Sequence, residues 1–196
     1  MPRVVAGKCG GIPLVTPKGE KTRPTTDKVK EALFSILQMR LPDAAFLDLF
    51  SGSGQMGIEA VSRGAARAVL IDENNASASA ITANLTKTKL TKQISFLKRD
   101  VFRTLLDLGE AKEVFDIIFM DPPYSSALAF CSRAAEAICS YHLLTPGGLF
   151  IVEHSALDLP EENVINLTLY RRCKYGATML TFYTTDTCYS GGILTT

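Results

Sequence analysis

Between residues 44 and 153 short apolar runs alternate with stretches of helical period. The runs are Ala45–Phe50, Ala68–Asp72, Ile94–Leu97, Phe115–Met120 and Leu149–Glu153. Each is short and bounded by turn residues, as expected of strands buried in a parallel sheet. Helices are expected over Ile58–Arg63, closed by Gly64, over Asn75–Leu90, over Val101–Leu108 and over Ser126–Tyr141. The second repeats Ala76, Ala80, Ile81, Asn84 and Leu85 on one face. Strand and helix in alternation predict a doubly wound, mostly parallel sheet with right-handed crossovers. Leu143–Gly148 reads as a turn. Asn166–Lys174 and Thr178–Tyr183, split by Gly176, read as a closing antiparallel hairpin, for seven strands in all.

Ahead of this core, residues 3–15 read as two short strands around Gly10-Gly11, and Pro17–Pro24 as a loop. Thr25 or Thr26 can cap a helix with Val29, Ala32, Leu33, Ile36 and Leu37 on one face. The expected organisation is an N-terminal basic hairpin-helix appendage (1–40), a core (41–184) and a tail (185–196) that is Thr-, Ser- and Gly-rich and expected to be disordered.

The 196 residues suffice for one sizeable core, and 46% apolar with 21% charged residues is a soluble, globular composition. No 18-residue apolar run and no secretory signal is present. Five scattered cysteines without a Cys-x-x-Cys pair argue against a disulfide scaffold or zinc site and fit a reducing cytoplasm. With two histidines, a multi-histidine metal centre is not expected. The net charge of +1 hides an asymmetry. Residues 1–40 carry eight Lys/Arg against three acids, a net +5, which leaves −4 for the remainder. Arg3, Lys8, Lys21, Arg23, Lys28 and Lys30 could bind phosphates of a nucleic acid. A solvated face fits the same charges.

Candidate chemistry concentrates after the Phe115 run, in Asp121-Pro122-Pro123-Tyr124. Ligands of open α/β sheets lie beyond the carboxyl ends of the strands, where two prolines would make a rigid turn. The exocyclic amine of a nucleobase is a poor nucleophile, because its lone pair is delocalised into the ring. Asp121 and a carbonyl near Pro122 could each accept one of its N–H groups, favouring a tetrahedral nitrogen with its lone pair aimed at an electrophile. Tyr124 could stack on the base. An incidental strand-ending turn would carry the same residues.

Gly52-Ser53-Gly54-Gln55-Met56-Gly57, with Asp72 20 residues after Gly52, fits the dinucleotide fingerprint. The same features can hold the ribose of S-adenosylmethionine. Three details favour the sulfonium cofactor. Asp48 would oppose a pyrophosphate but could help hold a methionine amino group. Asp100, with Val101 behind it, is placed for an adenine amino group. The 196 residues are also expected to form one domain, without room for the substrate domain most dehydrogenases carry. Asp48 could instead brace the loop.

Asp48-x-Phe50-x-Gly52-Ser53-Gly54, Asp72, Asp100 and Asp121–Tyr124, in that order, resemble class I, Rossmann-like S-adenosylmethionine-dependent methyltransferases acting on amino nitrogens. Arg3–Gly7, Gly10–Leu14, the block Thr22–Phe34 and the late Tyr175-Gly176 narrow the resemblance to bacterial 16S rRNA (guanine-N2)-methyltransferases. It spans residues 3 to about 183. It implies an enzyme that methylates a guanine of 16S rRNA or the small ribosomal subunit, with Asp121–Tyr124 as the acceptor motif and Asp48, Phe50, Gly52–Gly54 and Asp72 as the cofactor site. A monomer is expected, since the sequence offers no obvious dimer helix. Many relatives carry Phe where this chain has Tyr124. The alternatives are DNA adenine-N6 methylation, methylation of a protein glutamine amide, a nicotinamide oxidoreductase, and a non-catalytic RNA-binding assembly factor.

Overall fold

The computed structural model describes residues 2–17 and 27–185. The chain divides into two compact units, Met1–Val101 and Phe102–Thr196.

In the first unit, helix α1 (Asp27–Ile36) precedes strands β1 (Ala45–Leu49), β2 (Arg67–Ile71) and β3 (Ile94–Leu97). These pair in parallel in the order β3-β2-β1. Helices α2 (Gln55–Ser62) and α3 (Asn75–Thr88) make the crossovers. Phe46, Leu47, Leu49, Leu70 and Ile71 are fully buried, as the unbroken apolar runs require.

The second unit holds α4, which starts at the boundary residue (Val101–Glu110), then β4 (Phe115–Met120), α5 (Ala127–Ser140) and β5 (Leu144–Ser155). It continues with β6 (Asn163–Val164), β7 (Leu167–Tyr175) and β8 (Thr178–Thr184). β4 and β5 are parallel, whereas β8 is antiparallel to both β5 and β7. Within this unit the strand order is β4-β5-β8-β7-β6.

The architecture is the expected one, with differences that have local causes. The described residues form eight strands rather than seven, because β6 adds two residues paired to β7, too short to leave a periodicity. β5 begins five residues early, at Leu144 opposite Phe115. Its register then shifts past Pro146, which has no N–H, and Gly147, whose φ is 71°.

Residues 3–15 turn back on themselves, with Val4 N donating to Ile12 O and Gly11 N to Val4 O, but they are not two strands. A single bridge joins Arg3 and Pro13, and Gly7–Cys9 is a 3-10 turn. The amides that a ladder would use are taken elsewhere. Val5 N and Ala6 N donate at 2.7 and 3.0 Å to the carboxylate of Glu59 on α2, which is fully buried and also paired with Arg63 at 2.7 Å. The segment lies so close to α2 that a Cβ on Gly7 would sit 1.9 Å from the Ser62 carbonyl oxygen. Most of the 185–196 tail, the Pro17–Pro24 loop beyond Pro17 and the caps Thr25 and Thr26 lie outside the described residues.

Candidate active site

At the end of β1 the chain turns sharply. Phe50 has a φ of 74°, a left-handed conformation that costs a bulky residue energy and persists only where its surroundings impose it. Here Phe50 N and Ser51 N both donate to Ile71 O, at 3.1 and 2.9 Å. The Ser51 hydroxyl donates to Asp48 O and accepts from Ile71 N, both at 2.9 Å. β1 and β2 are thus tied together where the glycine loop leaves the sheet. The Asp48 side chain is buried beneath that loop's origin, 1% exposed.

The three glycines serve different ends. Gly52, with a φ of 54°, has nothing within 4 Å of where a Cβ would project, so a ligand can approach its backbone. Gly54 and Gly57 face the protein. A Cβ would come 3.0 Å from Leu70 Cδ1 at Gly54 and 2.3 Å from Leu70 Cδ2 at Gly57. Gly54 is also the N-cap of α2 and brings no side-chain cap, so the first-turn amides of α2 present partial positive charge at the loop.

Asp72 follows β2 and braces the loop. One carboxylate oxygen accepts from Gly52 N at 2.8 Å and the other from Asn74 N at 2.9 Å. Asn74 in turn caps α3 by accepting from Ala76 N at 2.7 Å. Each Asp72 oxygen keeps a further lone pair for a ribose hydroxyl. An open backbone at Gly52, a carboxylate held at its edge and a buried acid at Asp48 fit S-adenosylmethionine. Asp100 is exposed after β3, and Val101 is buried at the start of α4.

In the second unit, β4 ends at Met120 and the chain passes through half-buried Asp121, buried Pro122 and exposed Pro123. Tyr124–Ser126 form a 3-10 turn, closed by Ser126 N donating to Pro123 O at 2.9 Å. This is the stiff turn that two prolines after a buried strand predict. It leads straight into α5.

The basic set separates. Arg3, Lys8 and Lys28 are exposed. Arg3 stands 3.7 Å from Asp27, and Lys8 donates to Gln93 at 2.8 Å. Lys30 does not belong with the phosphate-binding candidates: it is fully buried, donates to Arg3 O at 2.6 Å and lies 3.4 Å from Asp27, so its ammonium braces the N-terminal segment and cannot reach a phosphate. Its place on the apolar stripe of α1 with Val29 and Leu33 was the available signal. Lys21 and Arg23 lie outside the described residues.

Asn84 had no assigned role, yet it is fully buried on α3 and bonded to both the N-terminal segment and the glycine loop. A polar residue on the apolar face of a helical period was the clue. His154 is buried on β5. Its Nδ1–H donates to Ser155 O at 2.8 Å and its Nε2 accepts from the Thr181 hydroxyl at 2.7 Å. Burial holds its pKa below the usual value, so it is a neutral core residue. No helix among the described residues is long and apolar enough to cross a membrane.

A family model described as conserved hypothetical protein 95 matches residues 2–184. YlbH of Bacillus subtilis is 35% identical over 182 residues, covering 92% of this chain and 97% of that protein. Ribosomal RNA small subunit methyltransferase D of Haemophilus influenzae is 30% identical over 181 residues, covering 92% of each. The solved structure of an RNA methyltransferase from Salinibacter ruber, in complex with S-adenosyl-L-homocysteine, superposes with a TM-score of 0.63 at 16% identity, over 84% of this chain and 95% of that one. The fold is therefore the Rossmann-like fold of S-adenosylmethionine-dependent methyltransferases. The chain belongs to the conserved hypothetical protein 95 family, which includes the ribosomal RNA small subunit methyltransferases D. Membership sets aside the nicotinamide reading of the glycine loop.

Proposed function

We propose that this protein is an rRNA methyltransferase that places one methyl on the exocyclic N2 amine of a guanine in small-subunit rRNA. The observation that carries the acceptor assignment is the rigid Asp121–Tyr124 turn at the carboxyl end of buried β4. S-adenosylmethionine supplies an already activated methyl, so the protein's work is binding and aiming.

Asp72 accepts from the ribose hydroxyls, Asp48 counters the methionine amino group, and the Gly52 backbone lies against the cofactor. Phe50 and Ser53 shape that loop, and Asp100 with Val101 borders the adenine. Asp121 accepts one N–H of the guanine amine and the Pro122 carbonyl the other, turning the nitrogen lone pair outward. Pro123 stiffens this turn. Asp121 need not be a strong base, because an alkylated amine sheds its proton readily. Tyr124 stacks on a guanine that is unpaired or flipped out.

Arg3, Lys8, Lys21, Arg23 and Lys28 hold RNA phosphates. Each phosphate contact contributes a slope of about −0.7 to −0.9 in log affinity against log salt. RNA affinity therefore falls about a hundredfold or more between roughly 50 and 200 mM salt, as filter binding would measure. Salt-independent affinity would remove these residues from the RNA site.

The deciding experiment offers radiolabelled S-adenosylmethionine with unmodified small subunits, naked 16S rRNA or duplex DNA, followed by digestion to nucleosides. The expected product is N2-methylguanosine. Label confined to DNA adenine would keep the Asp121–Tyr124 chemistry and overturn the ribosomal substrate.

A further inference from the structure

Residues 3–15 are fastened to the two helices that flank the glycine loop. Glu59 on α2 takes Val5 N and Ala6 N. Ser62, also on α2, accepts from Cys9 N at 2.9 Å and donates to Ala6 O at 2.6 Å. The third fastening differs from these, because it is also a fastening of the loop. Asn84 accepts from Val15 N at 2.7 Å through Oδ1, and its Nδ2 donates to Val15 O and to Ser53 O, both at 2.9 Å.

One buried amide thus uses both of its N–H groups and its oxygen on two backbone segments. Its orientation is fixed, since turning it over would set its oxygen against two carbonyls. The Ser53–Gly54 peptide is pinned at both ends, by Asn84 at Ser53 O and by Gly54 N donating to Ser51 O at 2.7 Å. Upstream, Asp72 holds Gly52 N. The Gly52–Ser53 peptide, beside the open space at Gly52, therefore hangs between Asp72 and Asn84. Lys30 adds a parallel tie, with Nζ 2.6 Å from Arg3 O and 3.4 Å from Gln55 Oε1 at the start of α2.

We infer that Asn84 is a positioning residue of the cofactor site and that, through it, the N-terminal segment is a working part of that site. This rests on the reading that the Gly52–Gly54 loop holds the cofactor. Two substitutions separate the halves of the statement. Asn84→Asp keeps an acceptor for Val15 N but sets a carboxylate oxygen against two carbonyls. Val15→Pro removes the N–H that Asn84 holds and sets a ring carbon in its place. Val15 is 40% exposed, so loss of its side chain disturbs little packing.

The measurement is the Kd of the full chain for S-adenosylhomocysteine by isothermal titration calorimetry, with Leu180→Ala, a core change on β8, as a control for lost stability. Asn84→Asp should weaken binding about tenfold and Val15→Pro about threefold. Leu180→Ala should leave the Kd unchanged. An unchanged Kd in folded Val15→Pro overturns the role of the segment, and an unchanged Kd in Asn84→Asp overturns the inference whole. A loss equal in Leu180→Ala would make the effect one of stability and overturn it too. If Asn84→Asp gives no cooperative melt, Val15→Pro decides alone. A wild-type chain that fails to bind the ligand would sink the cofactor-loop reading itself, an outcome distinct from bound wild type with unaffected variants.

Discussion

Asp121→Ala lowers turnover on small-subunit rRNA by about a hundred- to a thousandfold, and leaves the Kd for S-adenosylhomocysteine within about twofold. The size follows from removing one preorganised acceptor from a nitrogen that gains positive charge as it is alkylated. Cofactor binding is spared because the loop anchors are Ser51, Asp72 and Asn84, all before residue 101, whereas Asp121 follows β4. Asp121→Asn retains one acceptor oxygen without the charge and should fall between wild type and alanine. Single-turnover kinetics with saturating RNA, alongside calorimetry, would check both halves. Near-normal turnover in Asp121→Ala would remove the acceptor assignment.

Asp72→Ala weakens S-adenosylhomocysteine binding by about a hundredfold or more. Hydrogen bonds to a charged acceptor contribute about 1.5–3 kcal/mol each, and two ribose hydroxyls lose theirs. The structure adds a second loss, because Asp72 also holds Gly52 N at 2.8 Å and Asn74 N at 2.9 Å. The alanine variant therefore frees the loop as well as the ligand. KM for S-adenosylmethionine rises far more than kcat falls, since the missing contacts serve bound cofactor before and during transfer alike. A fall in kcat with KM unchanged would place Asp72 in the chemical step instead.

Parts of this architecture were legible because one force dominates them. Phe115–Met120 is apolar at all but one position and ends at Asp121-Pro122-Pro123, so both strand and turn declare themselves. Phe46 to Leu49 and Val69 to Ile71 are read as easily. The N-terminal segment pairs antiparallel only at Arg3 and Pro13, short of two full strands, for a definite reason. Strand propensity is local, whereas Glu59 is more than fifty residues from the amides it takes. The burial of Lys30 is hidden from the sequence on the same account. A lysine reads as solvated until a carbonyl such as that of Arg3 is found beside it. Asn84 stood within an apolar period with no partner visible nearby in sequence, since Val15 is 69 residues away. The open face at Gly52 and the crowded faces at Gly54 and Gly57 cannot be told apart from glycine spacing alone.

The position of β8 bears on how the chain folds as it leaves the ribosome. Among the described residues β8 is the last strand in sequence, yet it lies between β5 and β7 rather than at an edge. β1, β2 and β3 all lie before residue 98, so their pairing can be completed early in synthesis. β5 emerges long before its antiparallel neighbour, and its Phe150–His154 stretch must wait for Met179–Tyr183. A nascent chain stopped before Thr178 presents two open strand edges, on β5 and β7, that β8 covers in the finished protein.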